Sequence, residues 1–90
     1  MTEETRITWD KPTEEKLFKI LESIPDMIRG IAEARVCRKA EDLVRAENRT
    51  VILEKDMVDA FFAETPAGFK PLMKNSMKDI GLDYTRYGHV

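Results

Sequence analysis

Apolar residues recur along the chain at the spacing of amphipathic helices. Over residues 13–23 they fall every three or four positions, which predicts a short first helix with one apolar face. A longer pattern covers residues 25–47 and predicts a central helix about 34 Å long. A third apolar face covers residues 56–63. The chain is therefore expected to be all-α, with a short, a long central and a short helix, followed by a short C-terminal helical segment.

These elements divide the chain into three parts. Residues 1–12 form a polar arm, residues 13–65 form a three-helix domain, and residues 66–90 form a C-terminal extension. Prolines and a glycine at the start of the extension end the third helix, since proline lacks an amide hydrogen and glycine favours turns. Within the extension, residues 82–90 are expected to form a tail that is either loose or ordered by contact.

The central helix carries more apolar surface than one neighbouring helix can cover. Its wide apolar stripe consists of Met27, Ile28, Ile31, Ala32, Ala34, Val36, Cys37, Ala40, Leu43 and Val44. A surface helix normally buries a narrower stripe against its own domain. We therefore expect self-association, most simply as a homodimer, or a protein partner that covers the remaining surface.

Both ends of the central helix carry local signals. Ser23 can cap its start, and Pro25 suits a first turn in which the amide hydrogen would be unpaired. Asn48 tolerates the left-handed backbone that ends many helices.

A further set of residues could line an adaptable apolar surface, although core packing is the simpler interpretation: Met27, Met57, Met73, Met77, Phe61, Phe62 and Phe69.

Charge and composition argue against several classes of protein. With 17 acidic and 15 basic residues, the net charge is -2 at pH 7, so no overall positive field attracts nucleic acid or an anionic membrane. The N-terminus lacks the layout of a secretory signal. No apolar run approaches the roughly 20 residues that cross a bilayer. The single cysteine cannot form an internal disulfide, and together these features predict a cytoplasmic protein.

Residues that usually carry catalysis or bind metals are few and scattered. His89 is the only histidine, and Cys37 is expected among apolar neighbours without a nearby base. No spaced set of side chains suits zinc, and no glycine-rich loop suits phosphate. We therefore expect a protein that is not an enzyme and that holds no metal or cofactor.

Several residues around the first two helices resemble the small PCP-reductase domain. They are Trp9, the Ile24-Pro25 step, Ile28-Arg29-Gly30, Glu41 and Ile52. The resemblance spans residues 9–62, with longer spacings here, including about one extra turn in the central helix. That domain occurs in the catalytic B subunit of light-independent protochlorophyllide reductase and in small stand-alone bacterial proteins.

The resemblance implies a non-catalytic accessory module. In the reductase the domain helps to enclose the tetrapyrrole at a subunit interface. By analogy, this chain would pack on a larger protein, such as a redox enzyme, or would cover a hydrophobic ligand. The residues expected to contact the partner are Trp9, Met27, Arg29 and Gly30.

The segment "NRTVILEKDMVDAF" resembles the corresponding joint of archaeal histones and gives an alternative hypothesis. The resemblance implies a dimer that touches nucleic acid through Arg38, Arg45 and Arg49. It also implies an ion pair between Arg49 and Asp56, with a partner contact as the alternative role of these two residues. Residues 26–50 hold six basic and five acidic residues, a balance that argues against binding to phosphates.

Overall fold

Four α-helices and two very short strands surround one core in the computed structural model, which describes residues 6–90. The elements are β1 (Thr8–Trp9), α1 (Lys11–Glu22), α2 (Asp26–Ala46), β2 (Val51–Ile52), α3 (Glu54–Glu64) and α4 (Lys70–Asp79). One short 3-10 turn lies between α3 and α4 at Ala67–Phe69, and another follows α4 at Tyr84–Tyr87. The predicted all-α order of helices is confirmed. Residues 1–5 of the expected arm lie outside the described part.

The first helix begins earlier than predicted because Asp10 caps it. The Asp10 carboxylate accepts hydrogen bonds from the backbone amide of Thr13 at 3.3 Å and from its hydroxyl at 2.8 Å. Pro12 falls in the first turn, where a missing amide hydrogen costs nothing. α1 therefore starts at Lys11 rather than at Thr13.

The two strands fasten the N-terminal part of the chain to the connection between α2 and α3. They run parallel, with Thr8 opposite Val51 and Trp9 opposite Ile52. The Thr8 amide donates a hydrogen bond to the Thr50 carbonyl at 2.9 Å. Ile52 is fully buried, so this short pairing also anchors the connection in the core.

The second helix ends at Ala46, and Asn48 terminates it in the way that the sequence predicts. Asn48 has a left-handed backbone with φ of 58°. Its amide donates to the Arg45 carbonyl at 3.0 Å, and the Arg49 amide donates to the Val44 carbonyl at 2.9 Å. These two bonds form a Schellman motif, which satisfies carbonyls that the end of a helix leaves unpaired.

The start of α2 differs from the prediction, since Ser23 does not cap it. The Ser23 hydroxyl donates to the Ile20 carbonyl at 2.6 Å and lies 2.5 Å from the hydroxyl of Ser76 on α4. Ser23 therefore closes α1 and attaches α4. α2 begins directly after Pro25, with Asp26 in its first turn, where negative charge is favourable.

An ion pair between Arg49 and Asp56 crosses the joint between α2 and α3. Two guanidinium nitrogens contact the two carboxylate oxygens at 2.5 and 3.1 Å. The Asp56 side chain is 4% exposed, and it also accepts a hydrogen bond from the Leu53 amide at 2.9 Å. Hydrogen bonds to Asp56 and Glu47 raise the pKa of Arg49. The pair holds the end of α2 against the first turn of α3.

The core lies between α1, the second half of α2, α3 and α4. It buries one apolar face of each helix, together with one residue of β2 and two residues that follow α4. The buried apolar residues are Leu17, Ile20, Leu21, Val36, Ala40, Val44, Ile52, Met57, Val58, Ala60, Phe61, Met73, Met77, Leu82 and Tyr84. The fully buried residues of α2 begin at Val36, and Ala32 is half-buried against the core.

Residues 82–90 pack against α3, so of the two alternatives expected from the sequence the tail is ordered by contact and not loose. Leu82 and Tyr84 are buried. Phe62 of α3 stacks on the ring of His89 with 4.0 Å between centroids, and its centroid lies 5.4 Å from that of Tyr84. These contacts join aromatic residues from distant parts of the chain, so local spacing gives no sign of them.

We expect the substitution Asp56→Asn to reduce the free energy of unfolding by about 2 kcal/mol, because a neutral amide cannot replace the charged hydrogen bonds to Arg49. Urea unfolding followed by circular dichroism measures the change. Asp42→Asn, at an exposed position, is the control and should shift stability by less than about 0.5 kcal/mol. Unchanged stability of the Asp56 variant would contradict this role of the pair.

Candidate interaction groove

An apolar groove lies between the first half of α2 and the segment that joins α3 to α4. Its volume is about 210 Å³. Val36, Phe61 and Met73 are buried side chains at its base. Its more exposed apolar lining consists of Ile24, Ile28, Ile31, Phe69 and Leu72.

The groove exists because two prolines end the elements around it. Pro25 separates α1 from α2, and Pro66 prevents α3 from continuing beyond Thr65. The 3-10 turn at Ala67–Phe69 then redirects the chain into α4. Thr65 is held there by a hydrogen bond from its hydroxyl to the sulfur of Met73 at 3.2 Å. α4 is therefore displaced from the first half of α2, and the space between them remains open.

The outward face of α2 changes character along its length. In the first half it presents Met27, which is 92% exposed, and Ile31, which is 59% exposed. In the second half the exposed positions on this face are charged, as at Arg38 and Asp42. The sequence stripe therefore contains two surfaces: a core face in the second half and an exposed apolar ridge in the first. We call Met27 and Ile31 the α2 ridge.

The four residues expected to bind a partner do not form one site. Trp9 is half-buried in β1 and packs on the core. Arg29 holds the joint between α1 and α2, because its guanidinium donates to the Leu21 carbonyl at 2.8 Å and the Ile24 carbonyl at 3.0 Å. Gly30 is exposed, with no atom within 4 Å of the position that a side chain would take. Of the four, Met27 alone combines a large apolar side chain with nearly complete exposure.

Of two exposed groove residues, the sequence indicates Phe69 for an adaptable apolar surface and does not indicate Leu72. Phe69 and Leu72 follow the break at Pro66, and helical spacing does not give the direction in which a broken chain turns. Their exposure of 47% and 41% is unusual for such large apolar side chains. Its apolar character identifies Phe69 as a candidate, but the sequence does not show that Phe69 and Leu72 line the same groove.

The arginines expected to contact nucleic acid are mostly engaged with carboxylates. Arg45 pairs with Asp42 at 3.3 Å and lies 4.0 Å from Glu41. Arg49 is held by Asp56, as described above, and by Glu47 at 2.6 Å. Arg38 makes no ion pair within residues 6–90. Three arginines in this arrangement do not form a concentrated basic surface.

Two ion-pair clusters connect α3 to the rest of the chain. Glu54 is paired with Lys16 of α1 and accepts a hydrogen bond from the Tyr87 hydroxyl. Burial raises the pKa of Glu54, but these hydrogen bonds lower it more, so the net direction is downward. Burial and the same contact raise the pKa of Tyr87 to about 12.

The second cluster lies one turn further along α3. Asp59 contacts Lys55 at 2.8 Å and the Nε2 atom of His89 at 2.6 Å. Burial raises the pKa of Asp59, yet hydrogen bonds from Lys55 and His89 outweigh it and the net direction is downward. Both clusters hold residues 82–90 on α3. Within the described residues, no group of three or more His, Cys, Asp or Glu side chains is placed to bind a metal ion.

Cys37 lies half-buried on α2. Burial raises the pKa of its thiol from 9.0 to about 11, with further contributions from the charges of Glu33, Glu41 and Glu14. A thiol with so little thiolate at neutral pH is a poor nucleophile.

Comparison with models of known protein families identifies the family of this chain. A family model described as a protein of unknown function, DUF2621, matches residues 1–90. The chain belongs to the DUF2621 family. Comparison of this DUF2621 protein with curated proteins returned no match, and comparison with solved structures returned none. No helix among residues 6–90 has both the length and the apolar character required to cross a membrane.

The resemblances to the PCP-reductase domain and to the histone fold are wrong as family assignments. The match to DUF2621 covers the whole chain, and no family model of either other kind matches. The residues that suggested them have local tasks: Pro25 precedes α2, Arg29 binds carbonyls of α1, and Ile52 fills the core. Such tasks recur in unrelated helical domains, so they do not identify a family. Tetrapyrrole enclosure and histone-like assembly lose their support.

We expect Cys37 of the DUF2621 protein to react slowly with thiol reagents. A pKa raised from 9.0 to about 11 lowers the thiolate fraction about 100-fold near neutral pH. The rate of reaction with DTNB, compared between native and urea-unfolded protein, measures this difference. Equal rates in the two states would contradict it.

In an alkaline titration, Tyr87 should ionise at a higher pH than an ordinary tyrosine. Its folded pKa of about 12 exceeds the ordinary 10.0, so the neutral form stabilises the fold. This contribution is fully present below pH 10 and is lost as the pH rises towards about 12. Near-ultraviolet absorbance of tyrosinate measures the titration, and the variant Tyr87→Phe should lack the late step. A late step that persists in the variant would rule out this assignment.

Proposed function

We propose that this protein is a non-catalytic helical interaction module that binds another protein through the groove. The observation that carries the proposal is the grouping of exposed apolar side chains on one surface. These residues are Met27, Ile28, Ile31, Phe69 and Leu72, and each is at least 36% exposed. Single exposed apolar residues are ordinary, but a contiguous patch of them usually marks an interaction site.

The size of the groove favours protein side chains over a small-molecule ligand. Pockets for drug-sized ligands usually have volumes of about 300–1,000 Å³ and enclose most of the ligand, whereas this groove holds about 210 Å³. Ile28, Ile31, Phe69 and Leu72 leave it open to solvent. A few apolar side chains of an amphipathic helix would fill it in the helix-in-groove mode.

Burial of these side chains would supply a useful binding free energy. Covering a large apolar side chain that is half-exposed contributes on the order of 1 kcal/mol. Four or five of them would therefore contribute several kcal/mol before the entropy cost of association. The expected homo-oligomer belongs to the same proposal, because a second subunit can occupy the same groove.

The state of the reactive groups supports a non-catalytic task. Glu54 and Asp59 are each engaged with a cation and a second donor, and burial suppresses ionisation of Cys37. The proposal includes a cytoplasmic location, for which the single cysteine is the support. Contact with nucleic acid is not part of it, because Arg38, Arg45 and Arg49 do not form a concentrated basic surface within residues 6–90.

Site-specific photocrosslinking in cells tests the groove. Benzoylphenylalanine placed at Ile31 or at Phe69 should give a crosslinked protein on illumination. The same amino acid at Arg86, an exposed position on the 3-10 turn that packs on α3, is the control and should give none. Adding Leu72→Glu should reduce the crosslinking at least several-fold, because a charge in the groove opposes burial of apolar side chains.

The proposal fails if the groove positions crosslink no better than Arg86. It also fails if Leu72→Glu leaves the yield unchanged while circular dichroism shows an intact fold. Leu72 is an exposed residue, so its substitution should leave the melting temperature nearly unchanged.

A further inference from the structure

We propose that Met27 is an oxidation site, at which a peroxide converts the thioether to a sulfoxide and thereby weakens binding at the groove. The proposal rests on the proposed function and adds a means of regulating the same surface. It is carried by the placement of one methionine in the exposed apolar patch, while three other methionines lie in the core.

The methionines in the described part of the chain differ sharply in exposure. Met27 is 92% exposed, whereas Met57, Met73 and Met77 are buried. An oxidant must reach the sulfur atom, so burial slows the reaction. The Thr65 hydroxyl also donates a hydrogen bond to the sulfur of Met73 at 3.2 Å, which occupies a lone pair that an oxidant would use. Of these four methionines, Met27 is therefore the one that should react first.

The single cysteine competes poorly for the same oxidant. Cys37 is half-buried on α2, and burial raises the pKa of its thiol to about 11. A peroxide reacts with the thiolate form of a cysteine, and little thiolate is present near neutral pH when the pKa is this high. A thioether has no proton to lose, so the reactivity of Met27 does not depend on ionisation.

Met27 lies beside the groove, one helical turn before Ile31. Residues four apart on a helix are neighbours on its surface, and Ile31 lines the groove. Ile28 follows Met27 in the chain and lines the groove as well. A partner that covers Ile28 and Ile31 would therefore also cover part of the Met27 side chain. A flexible thioether suits such a contact, because it adapts to irregular apolar surfaces.

The oxidation is a two-electron reaction with hydrogen peroxide or an alkyl hydroperoxide. A lone pair of the Met27 sulfur attacks one peroxide oxygen, the O–O bond breaks and a sulfur–oxygen bond forms. The proton of the transferred oxygen passes to the leaving oxygen, which departs as water or an alcohol. Methionine sulfoxide reductases reverse the change, with a dithiol that is oxidised to a disulfide while the oxygen leaves as water.

The product is poorly suited to an apolar interface. A sulfoxide oxygen is a polar acceptor that is hydrated in the free protein. Docking an apolar partner over it would remove this hydration without supplying a hydrogen bond, which is unfavourable. The oxidised protein should therefore bind its partner more weakly than the reduced protein.

Peptide mapping by mass spectrometry, after treatment of the purified protein with hydrogen peroxide, tests the site. Met27 should gain one oxygen at least about 10-fold faster than Met57 or Met77. Urea-unfolded protein is the control, in which the three rates should become similar. Equal rates in the folded protein would overturn the assignment of the site.

Crosslinking tests the effect on binding. Protein with benzoylphenylalanine at Phe69 is oxidised, freed of peroxide, added to a lysate of the native cells and illuminated. The yield of crosslinked protein should fall about 10-fold relative to untreated protein. The same protein carrying Met27→Leu keeps an apolar side chain without a sulfur, so its yield should be high before and after peroxide. Met27→Gln places a polar group there, so its yield should be low without peroxide.

The outcomes separate this proposal from the one on which it rests. A yield that does not change when Met27 is oxidised, or that falls equally in the Met27→Leu protein, would overturn the regulation and leave the groove as a binding site. Absence of crosslinks from Phe69 in every state would remove the proposed function, and the regulation with it. Melting temperatures of the oxidised protein and both variants should stay near the wild-type value, since Met27 is exposed, which excludes unfolding as the cause.

Discussion

The length of α2 relative to its neighbours is the constraint on which the rest of the structure depends. α2 has 21 residues, whereas α1 has 12 and α3 has 11. At about 1.5 Å per residue, each shorter helix matches only about half of its length. Val36, Ala40 and Val44 in the second half reach the core, and the first half is left with apolar residues and incomplete cover. The groove is the direct result of this mismatch.

Both ends of α2 are held by charged hydrogen bonds. At the start, Arg29 joins α2 to the last carbonyls of α1 and also contacts Asp26 at 2.7 Å. At the end, Arg49 joins it to Asp56 of α3. A helix held at both ends keeps its backbone in place, so little backbone conformational entropy remains to be lost on binding. The groove is therefore already formed in the unbound protein and does not require a partner to create it.

The sequence predicts this fold well where each element depends on its own residues. Helical periodicity identifies the three main helices, and Asn48 identifies the end of α2, because these signals act over one or two turns. Prediction fails for Ser23, whose hydroxyl is used by Ser76, and for the packing of Tyr84 and His89 on α3. These contacts depend on which surfaces meet, and single-residue preferences carry no information about that.

The candidate site is also predictable only where it depends on local sequence, and not where it depends on which surfaces meet. Periodicity shows that α2 has too many apolar positions, but it does not say which half stays exposed. That is decided by where α3 ends and how Pro66 turns the chain towards Phe69. Arg29 was expected at a partner contact because of the resemblance to the PCP-reductase domain, and its guanidinium instead binds backbone carbonyls at the joint between α1 and α2. A charged residue near a proline break can have either use, and only its geometry distinguishes them.

The pairing of β1 with β2 has a consequence for the order of folding. Along the chain, Thr8 precedes α1 and Val51 follows α2. Their pairing therefore requires α1 and α2 to come together first. Helical turns form hydrogen bonds between residues close in sequence, without closing a long loop. The strand pair joins residues far apart in sequence, so the entropy cost of loop closure delays its formation. The N-terminal segment should therefore be among the last parts to join the native state. It would then fasten a nearly complete molecule, in which α2 and α3 share the most extensive contact.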